Sequence, residues 1–402
     1  MWQKVKNLYH LAQAYLAALI FNFPSKNLVV IGVTGTDGKT TTVQMIYEIL
    51  KAASYKVSMI SSIKAVIGSK VYDTGFHVTT PSPWQVQRFL RKAVDLGGQY
   101  FVLEATSHGL DQNRLAFVKF KLAVITNITH EHLDYHQTWQ NYAQSKAKLF
   151  KNVHFSILNA DDKSYDFLKS KADGKISTYS VRSTADFNLK KFPIKLKIAG
   201  DYNLANALAA AAATSVLNIK KSKIQKALND FQEVLGRMEE VRLGQDFKVI
   251  IDFAHTPNAL EQILKTMRSQ FTVYGSQIIA VFGAAGERDK TKRGLMGKVA
   301  AENADISILT AEDPRTEKVE DICDQIAKGL TLAGKKENKD FYQIYDRAKA
   351  IEFAVNLAKK NDIVALFGKS HEKSMTYGKK DLPWDEFAIA RQAIREKLKN
   401  EK

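Results

Sequence analysis

Short apolar runs alternate with stretches of helical spacing along nearly the whole chain. The runs Leu28–Val33, Tyr100–Glu104, Leu122–Thr126, Phe155–Asn159, Lys248–Ile251, Ile278–Phe282, Ile306–Thr310 and Ile363–Phe367 predict strands. Between them, Trp84–Asp95, Asn203–Leu217 and Ala259–Phe271 predict helices. Such alternation predicts parallel sheets with helices on both faces. At the start, Trp2, Val5, Leu8, Tyr9, Ala12, Leu16 and Leu19 fall at helical spacing and predict a helix within residues 1–25, packed on the first domain. A membrane-surface anchor is the alternative for that helix. Its apolar stretch Ala14–Phe21 is too short to span a bilayer, so no stable membrane insertion is expected. A boundary is expected near Gly236, between the alanine-rich helix around Ala205–Ala213 and a fresh strand–helix series from Lys248.

The segment Gly32–Thr42 reads G-V-T-G-T-D-G-K-T-T-T directly after the first apolar run. A strand, a glycine turn and a helix start in that order suit phosphate. Gly35 and Gly38 let several N–H groups face one anion, and the helix presents its positive end to the same point. Lys39 adds a mobile cation for the outer phosphates, and the Thr40 hydroxyl suits Mg2+. Val33 stands where the strict Walker pattern has its first glycine. The expected α/β architecture is therefore a central P-loop parallel-sheet ATPase domain over 26–236, followed by a Rossmann-like domain over 237–402. The glycine-bearing stretch Phe282–Gly286 after a strand suggests the latter.

The net charge of +17 is spread over scattered lysines, which reads as a basic surface suited to polyphosphate ligands rather than to nucleic acid. The single cysteine, Cys323, excludes an intrachain disulfide and suits a reducing, cytoplasmic setting. Glu104 ends a strand, where ligands of open parallel sheets bind, and its carboxylate suits Mg2+; a plain helix-start carboxylate is the alternative. Thr126–His136 reads T-N-I-T-H-E-H-L-D-Y-H, and its imidazoles fit assistance to a hard cation better than a zinc site, because no cysteine joins them. Arg237–Glu239, Asp252–Pro257, Gly286–Arg293, Glu312–Glu317 and Gly368–Glu372 are charged clusters, mostly after strands. They suggest one cleft facing the first domain, with cations for anionic groups and carboxylates for an ammonium or a ribose.

These segments, with E-A-T-S-H-G-L, D-Q-N-R, Y-A-Q-S-K-A-K-L-F, G-D-Y-N-L-A-N-A, L-G-R-M-E, D-F-A-H-T-P, G-E-R-D-K-T-K-R, E-D-P-R-T-E and G-K-S-H-E, give the chain its resemblance to the Mur ligases from about Leu28 to about Ala393. Within them it resembles the members that add a diamino acid to the peptidoglycan stem peptide. The resemblance implies an ATP- and Mg2+-dependent amide ligase that works through an acyl phosphate on UDP-N-acetylmuramoyl-L-alanyl-D-glutamate. It implies that Gly35, Thr36, Asp37, Gly38, Lys39, Thr40 and Thr41 hold the ATP phosphates and one Mg2+. Glu104 and His132 would be magnesium ligands, and Lys146, as a carbamate, would help hold a second Mg2+. Thr79, Thr80, Thr106, Gln112 and Arg114 would hold the muramoyl dipeptide. Asn203 and Asn206 match the adenine side. Arg237 would approach the γ-phosphate and Asp252 the ribose. Arg288, Glu312, Asp313, Pro314, Arg315, Gly368 and Glu372 match the site of the incoming amino acid.

Two departures stand out. The family's domain that grips the uridine nucleotide has no counterpart before the first strand. The N-terminal helix and neighbouring loops replace it, or the substrate lacks that dependence, or a partner supplies it. The family's D-N-P-R motif for meso-diaminopimelate is here Glu312-Asp313-Pro314-Arg315. Arg315 favours diaminopimelate, because a guanidinium can fork onto its distal carboxylate; Asp313 adds a charge that suits an ammonium, and leaves lysine open. A folylpolyglutamate-synthetase-like ligase is a rival, although its phosphate loop normally ends G-K-G-S. A nucleotide-binding, non-catalytic partner subunit is another, and intact Lys39, Glu104, His132 and Lys146 argue against it.

Overall fold

Eight strands of the first half pair into one sheet in the computed structural model, which describes residues 2–73, 80–232 and 234–400. They are β1 (Val29–Thr34), β2 (Val57–Ile60), β3 (Lys64–Ile67), β4 (Lys70–Asp73), β5 (Tyr100–Glu104), β6 (Phe120–Ile125), β7 (Phe155–Asn159) and β8 (Lys175–Tyr179). Their order is β4-β3-β2-β5-β1-β6-β7-β8. From β2 to β8 every pair is parallel, and β3 and β4 add an antiparallel edge. Val33 is level with Glu104 on one side and Val124 on the other, so β1, β5 and β6 end side by side. Helices cover these strands, which explains their unbroken apolar runs. Val30, Phe101, Leu103, Ala123, Ile125 and Leu158 share one core with Phe89, Leu90 and Phe150. Strands β2 to β4 were not legible because each has only four residues, and β8 was not because Lys175, Ser177 and Thr178 break its apolar run.

The second sheet holds β9 (Glu239–Glu240), β10 (Lys248–Asp252), β11 (Ile278–Phe282), β12 (Ile306–Leu309), β13 (Phe341–Gln343) and β14 (Ile363–Phe367), in the order β13-β12-β11-β14-β10-β9. Only β9 runs antiparallel to its neighbour. A separate hairpin joins β15 (Ser374–Tyr377) to β16 (Lys380–Pro383). Val249, Ile251, Ile279, Val281, Ile308, Val364 and Leu366 form the core with Ile351 and Ile394.

The chain divides into two compact units, Met1–Thr129 with His136–Gln232 and His130–Tyr135 with Glu233–Lys402. The division after Gln232 compares with the boundary expected near Gly236. That His130–Tyr135 belongs with the second unit was not legible, because nothing local marks those six residues as packing with sequence so distant.

The N-terminal helix, Trp2–Ile20, differs from expectation in the face it buries. Val5, Leu8, Tyr9, Ala12, Leu16 and Leu19 are exposed, and Ala14, Ala17 and Ala18 are fully buried. Alanines let a helix axis approach its support closely, so the small-residue face wins over the larger apolar one. Among the described residues no helix is long and apolar enough to cross a membrane.

Leu366 lies fully buried on β14, the strand between β11 and β10. Leu366→Ala is expected to destabilise the second unit by about 2–5 kcal/mol, measured by urea unfolding followed through a probe in that unit.

Candidate active site

In the first unit, β1 delivers the chain into the phosphate loop and the helix Lys39–Ala52 follows. Gly38 caps that helix at φ 81° with no side-chain cap, so its first N–H groups face outward for an anion. A Cβ on Gly38 would fall 2.3 Å from Asn206 Oδ1, so only glycine fits there. Asn206 therefore lies against the phosphate loop itself, and its Nδ2 donates to Asn203 Oδ1 at 3.3 Å.

The end of β6 fixes the loop. Thr36 N donates to Asn127 O at 2.9 Å and Asp37 N to Asn127 Oδ1 at 3.0 Å. Thr126 Oγ1 and Asn127 Nδ2 donate to Asp37 O at 2.6 and 3.2 Å. The Thr36 hydroxyl meets Tyr142 OH at 3.1 Å and accepts from Thr129 N. Lys146, almost fully buried, donates its Nζ to Gly35 O at 2.6 Å and lies 4.4 Å from the centre of the Tyr142 ring. Lys39 Nζ bends back onto Thr36 O at 2.7 Å. Thr126, Asn127 and Tyr142 were not singled out from the sequence, because their role depends on β6 lying beside β1.

Glu104, at the end of β5, meets the Thr40 hydroxyl at 3.0 Å and accepts from Ser62 N at 2.9 Å. Ser62 Oγ in turn lies 2.8 Å from Thr40 Oγ1. A buried carboxylate beside a hydroxyl is an all-oxygen donor set, which fits a hard cation such as Mg2+. Thr41 is buried in the same helix turn.

Four expected dipeptide-binding residues form one network. Thr80 and Thr106 share a hydroxyl contact at 2.8 Å, and Thr106 caps the short helix Ser107–Asp111 through Gly109 N. Arg114 donates from Nη1 to Thr80 O at 2.9 Å and from Nε to Gln112 Oε1 at 2.9 Å. Thr79 lies outside the described residues. The N-terminal helix is tied to the same region: Asn7 Nδ2 donates to Asp111 O at 3.0 Å, and Asn113 Nδ2 to Asn7 O at 3.2 Å.

The structure divides the histidine cluster. His136 is buried in the first unit against the rings of His108 and Tyr142, and burial pushes its pKa down to about 4. Its imidazole is therefore neutral at neutral pH and packs among rings of the first unit. His130 and His132 belong to the second unit. There His130 Nε2 meets Thr291 Oγ1 at 3.0 Å, and Leu133 N donates to Asp289 Oδ2 at 3.2 Å. Buried Lys292 pairs with Glu131 at 3.2 Å and donates to His255 O at 2.8 Å. His132 adopts φ 57°, with Nδ1 3.7 Å from Glu131 Oε1.

In the second unit, Asp252 ends β10 and accepts from Met238 N at 2.8 Å and Ala254 N at 2.7 Å. It thereby holds the turn that carries Arg237, whose guanidinium lies over the Phe253 ring at 4.7 Å.

The loop after β12 holds Glu312 to Arg315, with Asp313 and Arg315 both at positive φ. Pro314 O lies where a Cβ on Gly286 would go, so this loop lies close against the one after β11. Arg315 donates to Gly286 O at 2.8 Å. The pKa of Arg288 is lowered by burial and then by the like charge of Arg315, with Asp134, Glu131 and Asp313 opposing. Arg315 is thus bonded to the same loop that carries Arg288. Lys369, fully buried, bonds Asp313 at 2.8 Å and Glu372 at 2.6 Å. The extra negative charge of Asp313 is therefore offset in part within the fold.

Glu312 is buried, and its Oε2 has no hydrogen-bond partner among the described residues. Gly368, at φ 100°, faces that oxygen: a Cβ there would fall 2.2 Å from it. Burial raises the Glu312 pKa to about 8 against the pull of Lys292, Arg347 and Lys369. Burial also pushes the Cys323 thiol up to about 12, so it supplies no thiolate nucleophile at neutral pH.

A phosphate loop backed by a hydroxyl–carboxylate pair, on an α/β fold with a second Rossmann-like unit, defines a nucleotide-using enzyme. Residues 33–214 match the Mur ligase middle domain, and residues 236–370 match the Mur ligase glutamate ligase domain. A UDP-N-acetylmuramoyl-L-alanyl-D-glutamate–2,6-diaminopimelate ligase of Caldanaerobacter subterraneus subsp. tengcongensis is 36% identical, over 96% of this chain and 82% of that one. A UDP-N-acetylmuramyl-tripeptide synthetase of Borreliella burgdorferi is 39% identical over 96% and 80%. A solved UDP-N-acetylmuramoyl-L-alanyl-D-glutamate–2,6-diaminopimelate ligase superposes with a TM-score of 0.60 at 30% identity, covering 92% of this chain and 79% of that one. The folylpolyglutamate synthase of Mycobacterium tuberculosis superposes at 0.67 with 15% identity, over 90% and 93%, which shows a shared fold alone. The chain belongs to the Mur ligase family, the ATP-dependent amide ligases of peptidoglycan synthesis.

Two predictions follow from this geometry. Gly38→Ala forces a side chain into the left-handed region, at a cost of about 1–2 kcal/mol, and against Asn206. ATP affinity measured by calorimetry should fall on the order of tenfold while the fold persists. For Glu312, a carboxyl pKa raised on folding means that the folded state binds the proton more tightly. Its contribution to stability is present below the ordinary value of 4.5 and is lost as pH rises toward 8. Glu312→Gln removes this dependence, so its melting temperature should gain on the parent's between pH 4.5 and pH 8.

Proposed function

We propose that this chain joins meso-diaminopimelate to the D-glutamyl carboxylate of UDP-N-acetylmuramoyl-L-alanyl-D-glutamate, with ATP as the driving substrate. The observation that carries the choice of amino acid is Arg315, held by its bond to Gly286 O against the loop that also carries Arg288. A guanidinium so placed can fork onto a ligand carboxylate, and diaminopimelate has a distal carboxylate where lysine has none. Asp313, whose charge suited lysine, shares the buried Lys369 ammonium with Glu372, so that charge is offset in part. The names of the Caldanaerobacter relative and of the solved ligase, both diaminopimelate ligases, support the same reading.

The chemistry is balanced without a protein nucleophile. A substrate carboxylate oxygen attacks the γ-phosphorus of ATP, ADP leaves, and an acyl phosphate forms. The amine then attacks the acyl carbon, phosphate leaves, and the amine gives up a proton. The outward N–H groups of the phosphate loop and Lys39 would hold the phosphates, and Arg237 would offset charge on the γ-phosphoryl group. Thr40 and Glu104, with His132, would hold Mg2+, which when bound supplies Lewis-acid stabilisation of phosphate charge. Lys146, as a carbamate beside Gly35, would add an anionic ligand for a second ion. Thr80, Thr106, Gln112 and Arg114 would orient the dipeptide. The N-terminal helix is anchored next to that network by Asn7.

The test is ATP-dependent phosphate release with UDP-N-acetylmuramoyl-L-alanyl-D-glutamate and either meso-diaminopimelate or L-lysine, with product mass as a check. Turnover with diaminopimelate is expected; turnover with lysine alone overturns the amino-acid assignment. Release that appears only on adding a separate uridine-binding protein points to a grip supplied in trans. Arg315→Ala should weaken diaminopimelate binding by about 1.5–3 kcal/mol, the worth of a hydrogen bond to a charged group, read as a rise in its KM with the KM for ATP unchanged.

A further inference from the structure

Glu312 and Asp313 sit in the loop after β12, and Gly368 and Glu372 in the loop after β14. These two strands are not neighbours, because β11 lies between them. No ladder hydrogen bond can therefore set the distance between the loops. Yet Glu312 Oε2 lies where a Cβ on Gly368 would stand, and Lys369 bonds Asp313. Something must hold two non-adjacent strand ends in that relation.

Arg347, the first residue of the helix Arg347–Leu357, reaches both. Its Nη1 donates to Ala311 O at 3.1 Å and its Nη2 to Phe367 O at 2.6 Å. Ala311 directly precedes Glu312, and Phe367 directly precedes Gly368. Arg347 Nε also donates to Glu386 Oε2 at 3.0 Å, and Glu386 accepts from Trp384 Nε1 at 2.7 Å. Both charged side chains are fully buried. A planar fork reaches two carbonyls and a carboxylate from three separate nitrogens in fixed directions, whereas a lysine's donors all diverge from one nitrogen.

We propose that Arg347, oriented by Glu386, is a positioning residue that sets the spacing of the two loops and thereby tunes affinity for the incoming amino acid. The proposal rests on the reading that these loops receive that amino acid. Arg347 touches no substrate in this scheme; it acts through the backbone carbonyls that precede Glu312 and Gly368. The sequence offered no sign of it, because Arg347 and Glu386 lie in helices outside every recognised motif.

Two variants of the full chain test the idea. Arg347→Lys keeps a cation for Glu386 and loses the fork. The double variant Arg347→Met with Glu386→Leu replaces the buried pair by apolar groups of similar length. Amide hydrogen exchange is followed in residues 311–317 and 367–373, with β10 and β11 as internal references. Both loops should exchange faster together in Arg347→Lys while the references hold. The KM for diaminopimelate should rise on the order of tenfold to a hundredfold, with the KM for ATP within about twofold. Unchanged exchange in the loops overturns the proposal. So does exchange rising equally in β10 and β11, which marks general unfolding, and so do loosened loops with an unchanged amino-acid KM. If the double variant does not fold, Arg347→Lys decides. A parent chain that turns over no diamino acid defeats the functional reading, and the exchange arm still decides whether Arg347 spaces the loops.

Discussion

Where parallel strands end, backbone N–H and C=O groups run out of ladder partners, and side chains from neighbouring elements must satisfy them. Much of the candidate chemistry here depends on that constraint. Asn127 and Thr126, at the end of β6, hold the amides of Thr36 and Asp37 and the carbonyl of Asp37. Glu104 at the end of β5 holds Ser62 N, and Asp252 at the end of β10 holds Met238 N and Ala254 N. Arg347 does the same for the carbonyls of Ala311 and Phe367. An unmade bond at any of these buried groups costs more than the bond itself contributes. The loops are therefore held in defined shapes by the need for satisfaction, and defined loop shape is what phosphate and carboxylate binding require.

The two units meet this constraint with different electrostatics. In the first, neutral Asn127, Thr126 and Tyr142 work beside single charges such as Lys146 and Glu104 that bond backbone and hydroxyl groups rather than one another. In the second, charges are buried and paired: Lys292 with Glu131, Lys369 with Asp313 and Glu372, Arg347 with Glu386. Buried pairs of this kind add little net stability, but losing one partner is severe. Their consequence is orientation. Glu312 stands among them without a hydrogen bond at Oε2 and with its pKa pushed up to about 8 by burial. A ligand ammonium reaching that oxygen would favour its ionised form, and binding there would then release a proton.

Much of the fold could be read from residue pattern. Strands buried on both faces have unbroken apolar runs, and β5, β7, β11 and β14 begin and end where those runs do. The four-residue strands β3 and β4 escaped, because so short a run carries no clear period, and β4 at the sheet edge needs no apolar run at all. The N-terminal helix was legible as a helix, but not in its orientation. Spacing names the larger apolar stripe, whereas close packing selected Ala14, Ala17 and Ala18.

The sequence by itself determined the groups that chemistry needs locally: the glycines and Lys39 of the phosphate loop, Thr40 after them, Glu104 at a strand end, and the arginines of the second half. These follow from backbone geometry and charge within a few residues, so they survive without knowledge of the fold. Only the tertiary structure decided which of them act together. It joined Thr80, Thr106, Gln112 and Arg114 into one network and removed His136 to a core. It assigned His130–Tyr135 to the second unit and offset part of the charge of Asp313 with Lys369. Each of those outcomes depends on contacts between residues far apart in the chain, and strand order, not spacing along the sequence, brings such residues within reach.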